Sequence, residues 1–313
     1  MISTSLFRSV PLVFAMAILA TGCGGGTSDT SSASTNSTAL SNNTSSLESA
    51  SSSSNNTASI SAVSAVSSKG CSSTTLFANG KYTLTSDGLS REFLVSVPAN
   101  YNPKKAYPLV VGLHWRGGQA TDVYNGNSWA SQKPFYGLKE LYGDSAIFVA
   151  PNGLDSGWAN PNNRDIHFVQ AMVDQLKNGL CLDTSRIYAT GFSFGGMMSN
   201  AIGCEMGNTF RAVAPMSGSL WSGCGNSQNK VAAILLHSKV DSVVGYQYGE
   251  EARDKYIAKN SCTTTTRAIG TNGCVEYQGC NSKYPVAWCG YNDGGHWPPA
   301  FAAKEIKTFF DRF

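Results

Sequence analysis

One short segment restricts the fold of this chain more than any other feature of its sequence. Residues 191–196 read Gly-Phe-Ser-Phe-Gly-Gly, and they join an apolar run at 186–191 to a helical pattern at 194–204. A Gly-x-Ser-x-Gly segment between a strand and a helix forms a turn too tight for side chains at the flanking positions, and it presents the serine at a helix N-terminus. This context predicts Ser193 as a nucleophile, and a simple tight turn is the alternative.

The surrounding pattern predicts the sheet that such a turn requires. Short runs rich in Val, Ile and Ala are typical of buried parallel strands, and segments with apolar residues at helical spacing separate them. The predicted strands are 91–98, 107–114, 146–151, 186–191, 211–216 and 231–237, and the predicted helices are 166–180, 194–204, 249–258 and a terminal helix after Pro298. This alternation predicts a doubly wound, mostly parallel α/β sheet with helices on both faces. Functional residues in such sheets lie beyond the carboxyl ends of the strands.

The first 69 residues have the composition of targeting and linking segments. Arg8 precedes a short apolar stretch, which ends in Leu-Ala-Thr-Gly-Cys23 and resembles a bacterial lipobox. We expect a lipoprotein-type signal peptide at 1–22 and lipidation of Cys23, and ordinary secretory cleavage nearby is the alternative. Residues 23–69 are rich in Ser, Thr and Asn, which predicts a disordered tether or a glycosylated stalk of similar composition.

Charge and cysteine content narrow the class of the folded domain, which is predicted at 70–313. The net charge of +3 does not indicate nucleic acid or an anionic membrane as a partner, so we expect membrane contact only through the lipid at Cys23. The other cysteines form an even set, and an even set in an exported chain predicts disulfides. Their pairing stays open, although four of them crowd into 262–289. No Cys-x-x-Cys pair with zinc spacing occurs, so no metal is expected.

A serine nucleophile needs a base and an acid. In this type of fold they follow the serine in the order acid, then histidine. His237 ends a predicted strand and leaves little sequence for an acid before it, whereas His296 lies in a Gly-Gly-His-Trp-Pro loop before the last helix. We therefore expect His296 to be the base. Asp241 follows the 231–237 strand and is the expected acid, which holds the imidazole tautomer and stabilises the imidazolium; Asp293 is the alternative.

A second loop carries the remaining candidates. The segment Gly-Leu-His-Trp-Arg-Gly-Gly follows a predicted strand, and its backbone N–H groups are suited to an oxyanion hole. We predict donors at Arg116 and at Phe194, the residue after the nucleophile. Trp115, Trp158 and Trp297 are candidates for substrate binding, by stacking on an aromatic acyl group or a sugar ring. Alternatively, Trp115 packs in the core and Arg116 pairs with a structural acid.

Several segments carry a resemblance to a known family. They are Leu-His-Trp-Arg-Gly-Gly, Phe-Val-Ala-Pro-Asn-Gly-Leu, Gly-Trp-Ala-Asn, Asp-Thr-Ser-Arg-Ile-Tyr-Ala-Thr-Gly-Phe-Ser-Phe-Gly-Gly and Gly-Gly-His. Together they resemble secreted feruloyl esterases of carbohydrate esterase family 1, relatives of polyhydroxybutyrate depolymerases and acetylxylan esterases. The resemblance covers nearly all of 70–313. It implies an α/β-hydrolase fold, a triad of Ser193, Asp241 and His296, and hydrolysis of ferulate esters on plant cell-wall arabinoxylan. No cofactor is implied.

Two departures from the family pattern bear on substrate preference. The family usually shows His-Gly-x-x-Asp where this chain has His-Ser-Lys-Val-Asp at 237–241, and we expect the serine and lysine to reshape that rim. Cys274 and Cys289 look like additions, which suggests an extra disulfide beneath the His296 loop.

Two alternative functions remain at this point. The first is another esterase of the same superfamily, acting on acetylxylan or polyhydroxybutyrate. The second is a catalytically dead surface carbohydrate-binding protein with a hydrolase fold. A missing triad residue would favour the second alternative, and all three candidate residue types are present.

Overall fold

A ten-stranded sheet runs through the described part of the chain and sets its architecture. The computed structural model describes residues 65–73, 77–127, 132–225 and 227–313. The predicted signal peptide at 1–22, the lipidation site at Cys23 and the tether up to residue 64 lie outside the described residues.

The described chain contacts the sheet from its first residues. Ser67 forms an antiparallel bridge with Asp183, and the Ser68 hydroxyl donates to the Leu180 carbonyl at 2.6 Å. The contacts with the sheet therefore begin a few residues before position 70, where the sequence predicted the tether to end.

The sheet is mostly parallel at its centre and antiparallel at both edges. Its strand order is β1-β2-β4-β3-β5-β6-β7-β10-β9-β8. Adjacent strands run parallel from β4 through β10, and the β1–β2, β2–β4, β8–β9 and β9–β10 pairs are antiparallel. The strands are β1 (Gly80–Ser86), β2 (Leu89–Ser96), β3 (Tyr107–Leu113), β4 (Ile147–Pro151), β5 (Leu182–Phe192), β6 (Ala212–Met216), β7 (Ala232–Ser238), β8 (Thr266–Ile269), β9 (Cys274–Tyr277) and β10 (Val286–Tyr291).

Helices cover both faces of the sheet, as predicted. They are α1 (Ala120–Asn125), α2 (Leu138–Tyr142), α3 (Arg164–Gly179), α4 (Phe194–Glu205), α5 (Tyr246–Lys259) and α6 (Ala302–Phe310). One buried cluster joins residues of α3, α4 and α5 to the sheet, and a second joins residues of α1, α2 and α6 to its other face. Within β3, Leu109 and Val111 belong to the first cluster and Val110 to the second. Successive strand residues point to opposite faces, so a strand buried on both faces is apolar throughout.

The predicted doubly wound α/β class is confirmed, with one large omission. The sequence indicated only a crowding of four cysteines at 262–289, whereas the structure forms the β8–β9 hairpin there and then β10. Strand β10 is short and almost fully buried, and it pairs in parallel with β7. Its residues Trp288, Cys289 and Gly290 do not form the Val- and Ile-rich run used to recognise buried strands. The edge strand β1 was also missed.

Four disulfides link the described cysteines. The pairs are Cys71–Cys181, Cys204–Cys224, Cys262–Cys280 and Cys274–Cys289. The crowded cysteines near the carboxyl end therefore pair locally, and Cys274–Cys289 joins the facing strands β9 and β10. This number of disulfides is typical of proteins that fold in an oxidising compartment outside the cytoplasm. Within the described ranges, no helix has the length and apolar character needed to cross a bilayer.

Candidate active site

Ser193 lies in a strained turn between β5 and α4. Its backbone has φ 56° and ψ −118°, a conformation that residues other than glycine adopt only where the surrounding structure enforces it. A Cβ on Gly195 would lie 2.1 Å from the Leu113 carbonyl oxygen, so only glycine lets this turn pack against the end of β3. The Ser193 N–H also donates to the Met216 carbonyl at 2.9 Å. The turn is therefore fixed by the two strands that flank β5.

The structure brings Ser193, His296 and Asp241 into one hydrogen-bonded chain. His296 Nε2 lies 2.8 Å from Ser193 Oγ, and His296 Nδ1 lies 2.7 Å from Asp241 Oδ2. Because an ionised carboxylate only accepts, Nδ1 carries the proton and Nε2 is free to accept the serine hydroxyl. The three residues come from the ends of β5, β7 and β10, at the carboxyl edge of the sheet.

The Asp241 carboxylate is held in its ionised form. Its Oδ1 accepts the backbone N–H groups of Val243 and Val244, each at 2.9 Å, and its side chain is buried. Burial raises the pKa of Asp241, but hydrogen bonds from two histidine side chains and two backbone amides lower it by more, so its pKa lies well below the ordinary value. The group beside His296 is therefore a fixed negative charge.

His237 and Asp293, the alternative base and acid, have other contacts. His237 is buried at the end of β7, and its Nε2 lies 2.7 Å from the Val244 carbonyl oxygen and 3.4 Å from Asp241 Oδ2. It therefore supports the loop that carries Asp241. Asp293 is exposed, and its backbone carbonyl accepts the Ser238 hydroxyl at 2.8 Å.

The loop that carries His296 is attached to its neighbours by a few contacts. The Lys239 N–H donates to the Tyr291 carbonyl at 2.7 Å, and the Tyr291 hydroxyl donates to the Trp297 carbonyl at 3.1 Å. The Phe192 ring packs on the imidazole of His296, with ring centres 4.8 Å apart. Ser238 adds a further contact, because its hydroxyl ties the Asp241 loop to this one.

A cavity of about 390 Å³ opens above Ser193. Its lining residues are Trp115, Arg116, Phe192, Ser193, Phe194, Met197, Trp221, Val243, Val244 and His296. Most of these side chains are apolar, and Arg116 is the one with a permanent charge. Arg116 is exposed and forms no ion pair with any described residue, so the alternative in which it pairs with a structural acid is not found there. Trp115 is only 8% exposed, so it both packs in the core and forms part of the cavity wall.

The predicted oxyanion donors lie at the edge of this cavity. Phe194 is the first residue of α4, and first-turn N–H groups have no acceptor inside their helix. The loop after β3 turns at Gly117, whose φ is 81° and whose N–H donates to the Ser156 carbonyl at 2.8 Å. The Arg116 N–H has no backbone acceptor among the described residues. The role of these two N–H groups as oxyanion donors stays a prediction.

Trp158 does not line the cavity, in contrast to the expectation that it lies in the substrate pocket. Its side chain is fully buried, and its indole N–H donates to the His114 carbonyl at 2.8 Å. A buried indole needs an acceptor for its N–H, and this one finds it beneath the loop after β3. Trp297 is 37% exposed and its ring lies 6.3 Å from Phe192, outside the lining of this cavity. Its contact with substrate stays a prediction.

Two lining residues were missed from the sequence. Trp221 is 65% exposed and Val243 is 67% exposed, and both border the same cavity as Ser193. The available signal was position, because both follow strands whose carboxyl ends lie at this edge of the sheet. Among the described residues, no cluster of three or more His, Cys, Asp or Glu side chains is placed to hold a metal ion.

The sequence and the fold are similar to those of known proteins. The family model described as Phospholipase/Carboxylesterase matches residues 159–272. Feruloyl esterase C of Emericella nidulans is 39% identical over 74% of this chain and 83% of its own length. Feruloyl esterase D of Neurospora crassa is 34% identical over 79% of this chain and 90% of its own length.

A solved structure supports the fold independently. The acetyl xylan esterase from Aspergillus awamori superposes with a TM-score of 0.58 at 15% identity, covering 74% of this chain and 99% of that one. At that identity the likeness shows the fold alone. The two sequence relatives carry the assignment to a family, because each is more than 30% identical over most of both chains. This chain has the α/β-hydrolase fold and belongs to the feruloyl esterase family of carboxylic ester hydrolases.

Proposed function

We propose that this protein is an exported serine esterase that hydrolyses ferulate esters of plant cell-wall xylan. The observation that carries the proposal is the chain of hydrogen bonds from Asp241 through His296 to Ser193 at the floor of an apolar cavity of about 390 Å³. The family membership supports the same reaction. A binding protein without activity would not need a strained serine in contact with a histidine and a buried carboxylate.

Acylation follows from the contacts around Ser193. Its Oγ attacks the ester carbonyl carbon while His296 Nε2 takes the hydroxyl proton, and Asp241 stabilises the imidazolium that results. The negative oxygen of the tetrahedral intermediate is bound by the N–H groups of Phe194 and Arg116. When the intermediate collapses, the alcohol leaves with the proton from His296 and the acyl group stays on Ser193.

Deacylation repeats the same steps with water. His296 takes a proton from a water molecule as it attacks the acyl-enzyme carbonyl, and it returns that proton to Ser193 Oγ when the acid leaves. The strained turn keeps Ser193 Oγ in place throughout, because its backbone is held by Met216 and the end of β3.

The size and lining of the cavity favour an aromatic acyl group over a small one such as acetyl. Its volume falls within the range of about 300–1,000 Å³ that small-molecule sites occupy, and its walls include the rings of Trp115, Phe192, Phe194 and Trp221. Aromatic walls bind a planar ring by offset stacking and edge contacts. An acetyl group would leave most of this apolar surface exposed to water.

We also propose that the chain is anchored through a lipid on Cys23, with the Ser-, Thr- and Asn-rich segment that follows as a tether that lets the esterase domain reach a polymeric substrate. The lipobox-like Leu-Ala-Thr-Gly-Cys segment supports this proposal. Labelled palmitate should be incorporated into the full chain and not into Cys23→Ala. Equal incorporation into both proteins, or none into either, would contradict the anchor.

The reaction is tested by initial rates of the full chain and of Ser193→Ala on methyl ferulate, acetylated xylan and a hydroxybutyrate oligomer. We expect fastest turnover of methyl ferulate and loss of that turnover in Ser193→Ala. Preference for either of the other two substrates would reject the ferulate assignment while keeping Ser193. Activity of Ser193→Ala equal to that of the unmodified chain would reject the nucleophile.

A further inference from the structure

Trp221 is a large apolar side chain that the fold leaves in water beside the nucleophile. Its side chain is 65% exposed and borders the cavity that contains Ser193 Oγ. Its ring contacts Tyr248 of α5, with ring centres 5.5 Å apart, which leaves the rest of the indole open. An exposed tryptophan gains about 25 cal/mol for each Å² that a ligand covers. The position is therefore suited to binding an apolar surface.

Two hydrogen bonds and a disulfide hold the backbone around Trp221 in place. Asn200 of α4 donates its side-chain N–H to the Ser219 carbonyl at 3.0 Å. Asn160 donates in the same way to the Ser222 carbonyl at 2.7 Å. The disulfide Cys204–Cys224 then ties the end of this segment to α4. We call residues 219–224 the Trp221 segment; its backbone is held although the indole is exposed.

The Gly-Trp-Ala-Asn motif connects the Trp221 segment to the loop that carries Trp115. The Ser222 hydroxyl donates to the Trp158 carbonyl at 2.7 Å, and the Trp158 indole N–H donates to the His114 carbonyl at 2.8 Å. The residue after His114 is Trp115, which also lines the cavity. A single buried motif therefore holds the backbone next to both Trp115 and Trp221.

His114 completes this connection as a neutral side chain. Its Nε2 accepts the Gly153 N–H at 2.9 Å, so its proton is on Nδ1, which donates to the Trp115 carbonyl at 2.8 Å. Burial lowers the pKa of His114, which keeps the ring uncharged. The wall that bears Trp115 is thus attached to the loop after β4 as well as to Trp158.

The geometry points to Trp221 as the specificity-determining residue that stacks on the ring of a hydroxycinnamoyl acyl group. The inference rests on the proposed esterase function and names the part of the site that selects the acyl group. The cavity has few hydrogen-bonding side chains other than Ser193, His296 and Arg116, whereas a sugar ring needs a partner for each of several hydroxyl groups. A planar aromatic ring needs no such partners.

Two esters that share a leaving group and differ only in the acyl group measure the effect of the acyl group alone. We compare p-nitrophenyl ferulate with p-nitrophenyl acetate, using the full chain, Trp221→Ala and Trp221→Phe. Loss of one stacked ring contact together with its buried area corresponds to about a tenfold change. Trp221→Ala should therefore lower kcat/KM on the ferulate ester about tenfold, chiefly through KM, and change the acetate ester less than about twofold. Trp221→Phe should recover most of the ferulate activity.

A matched control is Leu89→Ala, which truncates an exposed apolar side chain at the start of β2. It should leave both esters unchanged. An equal loss on both esters in Trp221→Ala, or no loss on either, would overturn the role of Trp221 and leave the proposed function standing. Absence of Ser193-dependent activity on both esters would instead reject the proposed function. The thermal midpoint of Trp221→Ala should match that of the unmodified chain, because the indole is mostly exposed.

Discussion

Two loops border the cavity above Ser193, and they are held in different ways. The Trp221 segment is tied to α4 by a disulfide and to buried asparagine side chains by hydrogen bonds. The loop at 292–297, which carries His296, has no disulfide of its own and turns through Gly294 and Gly295, both at positive φ. Its attachments are hydrogen bonds to neighbouring loops and strand ends.

We expect this difference in attachment to separate the selection of the acyl group from the rate of turnover. In the proposed mechanism the Trp221 segment contacts the acyl group and takes no proton, so its rigidity affects how well that group fits. The His296 loop must hold an imidazole within hydrogen-bond distance of two partners, and its position sets how readily the proton moves. Changes to the first loop should therefore appear mainly in KM, and changes to the second mainly in kcat.

The largest effect is expected from Asp241→Asn. An amide in place of the carboxylate stabilises the wrong imidazole tautomer and removes the negative charge beside His296. We expect kcat on methyl ferulate to fall about 10³- to 10⁴-fold, with KM little changed, as for the equivalent change in other serine hydrolases. Asp293→Asn is the matched control, because this exposed carboxylate has no described contact with His296. A comparable loss of kcat in the control would identify Asp293, and not Asp241, as the acid of the triad.

An intermediate effect is expected when the Trp221 segment is released. The double substitution of Cys204 and Cys224 by serine should lower the free energy of unfolding by about 2–4 kcal/mol and raise KM for methyl ferulate severalfold, while kcat changes little. Unfolding in urea and steady-state kinetics measure the two effects.

The second local disulfide supplies the control for that experiment. Cys262–Cys280 spans 18 residues and Cys204–Cys224 spans 20, so their removal should destabilise the fold similarly. The Cys262–Cys280 pair does not border the cavity, and its double serine variant should keep KM unchanged. Equal rises in KM would show that general destabilisation, and not release of the Trp221 segment, controls substrate binding.

The smallest effect is expected from Ser238→Ala. This change removes the hydroxyl that ties the Asp241 loop to the Asp293 carbonyl. A neutral hydrogen bond contributes about 0.5–1.5 kcal/mol, so we expect kcat to fall about two- to tenfold with KM unchanged. Ser145→Ala removes a comparable hydroxyl contact, to the Tyr142 carbonyl, far from this site and should leave kcat unchanged. A change in KM alone for Ser238→Ala would reject the division between the two loops.

The sequence was sufficient to name the three side chains that meet at the carboxyl edge of the sheet. Their signals are local: a glycine-flanked serine between a strand and a helix, an aspartate just after a strand, and a histidine between glycines and the last helix. The alternation of strands and helices likewise predicted the mostly parallel centre of the sheet. Strand β10 was not predicted because its residues do not form the Val- and Ile-rich run that marks a buried strand.

The composition of the cavity could not be predicted in the same way. Trp158 was expected to bind substrate because it follows a strand that ends at the right edge, but its indole turns inward to the His114 carbonyl. Trp221 was overlooked because its exposure depends on contacts with Asn160 and α4, which are distant in sequence. Long-range packing decides which of several tryptophans lines the cavity, and local sequence patterns do not contain that information.

The central claim is that Ser193 is an activated nucleophile in a pocket for an aromatic acyl group. The most direct test is the rate at which a fluorophosphonate labels the full chain, with the site of labelling mapped by peptide mass spectrometry, in the presence and absence of ferulate. We predict one label on Ser193, slowed by ferulate and not by acetate at the same concentration. A label on another residue, or labelling of Ser193 that ferulate leaves unchanged, would contradict this account.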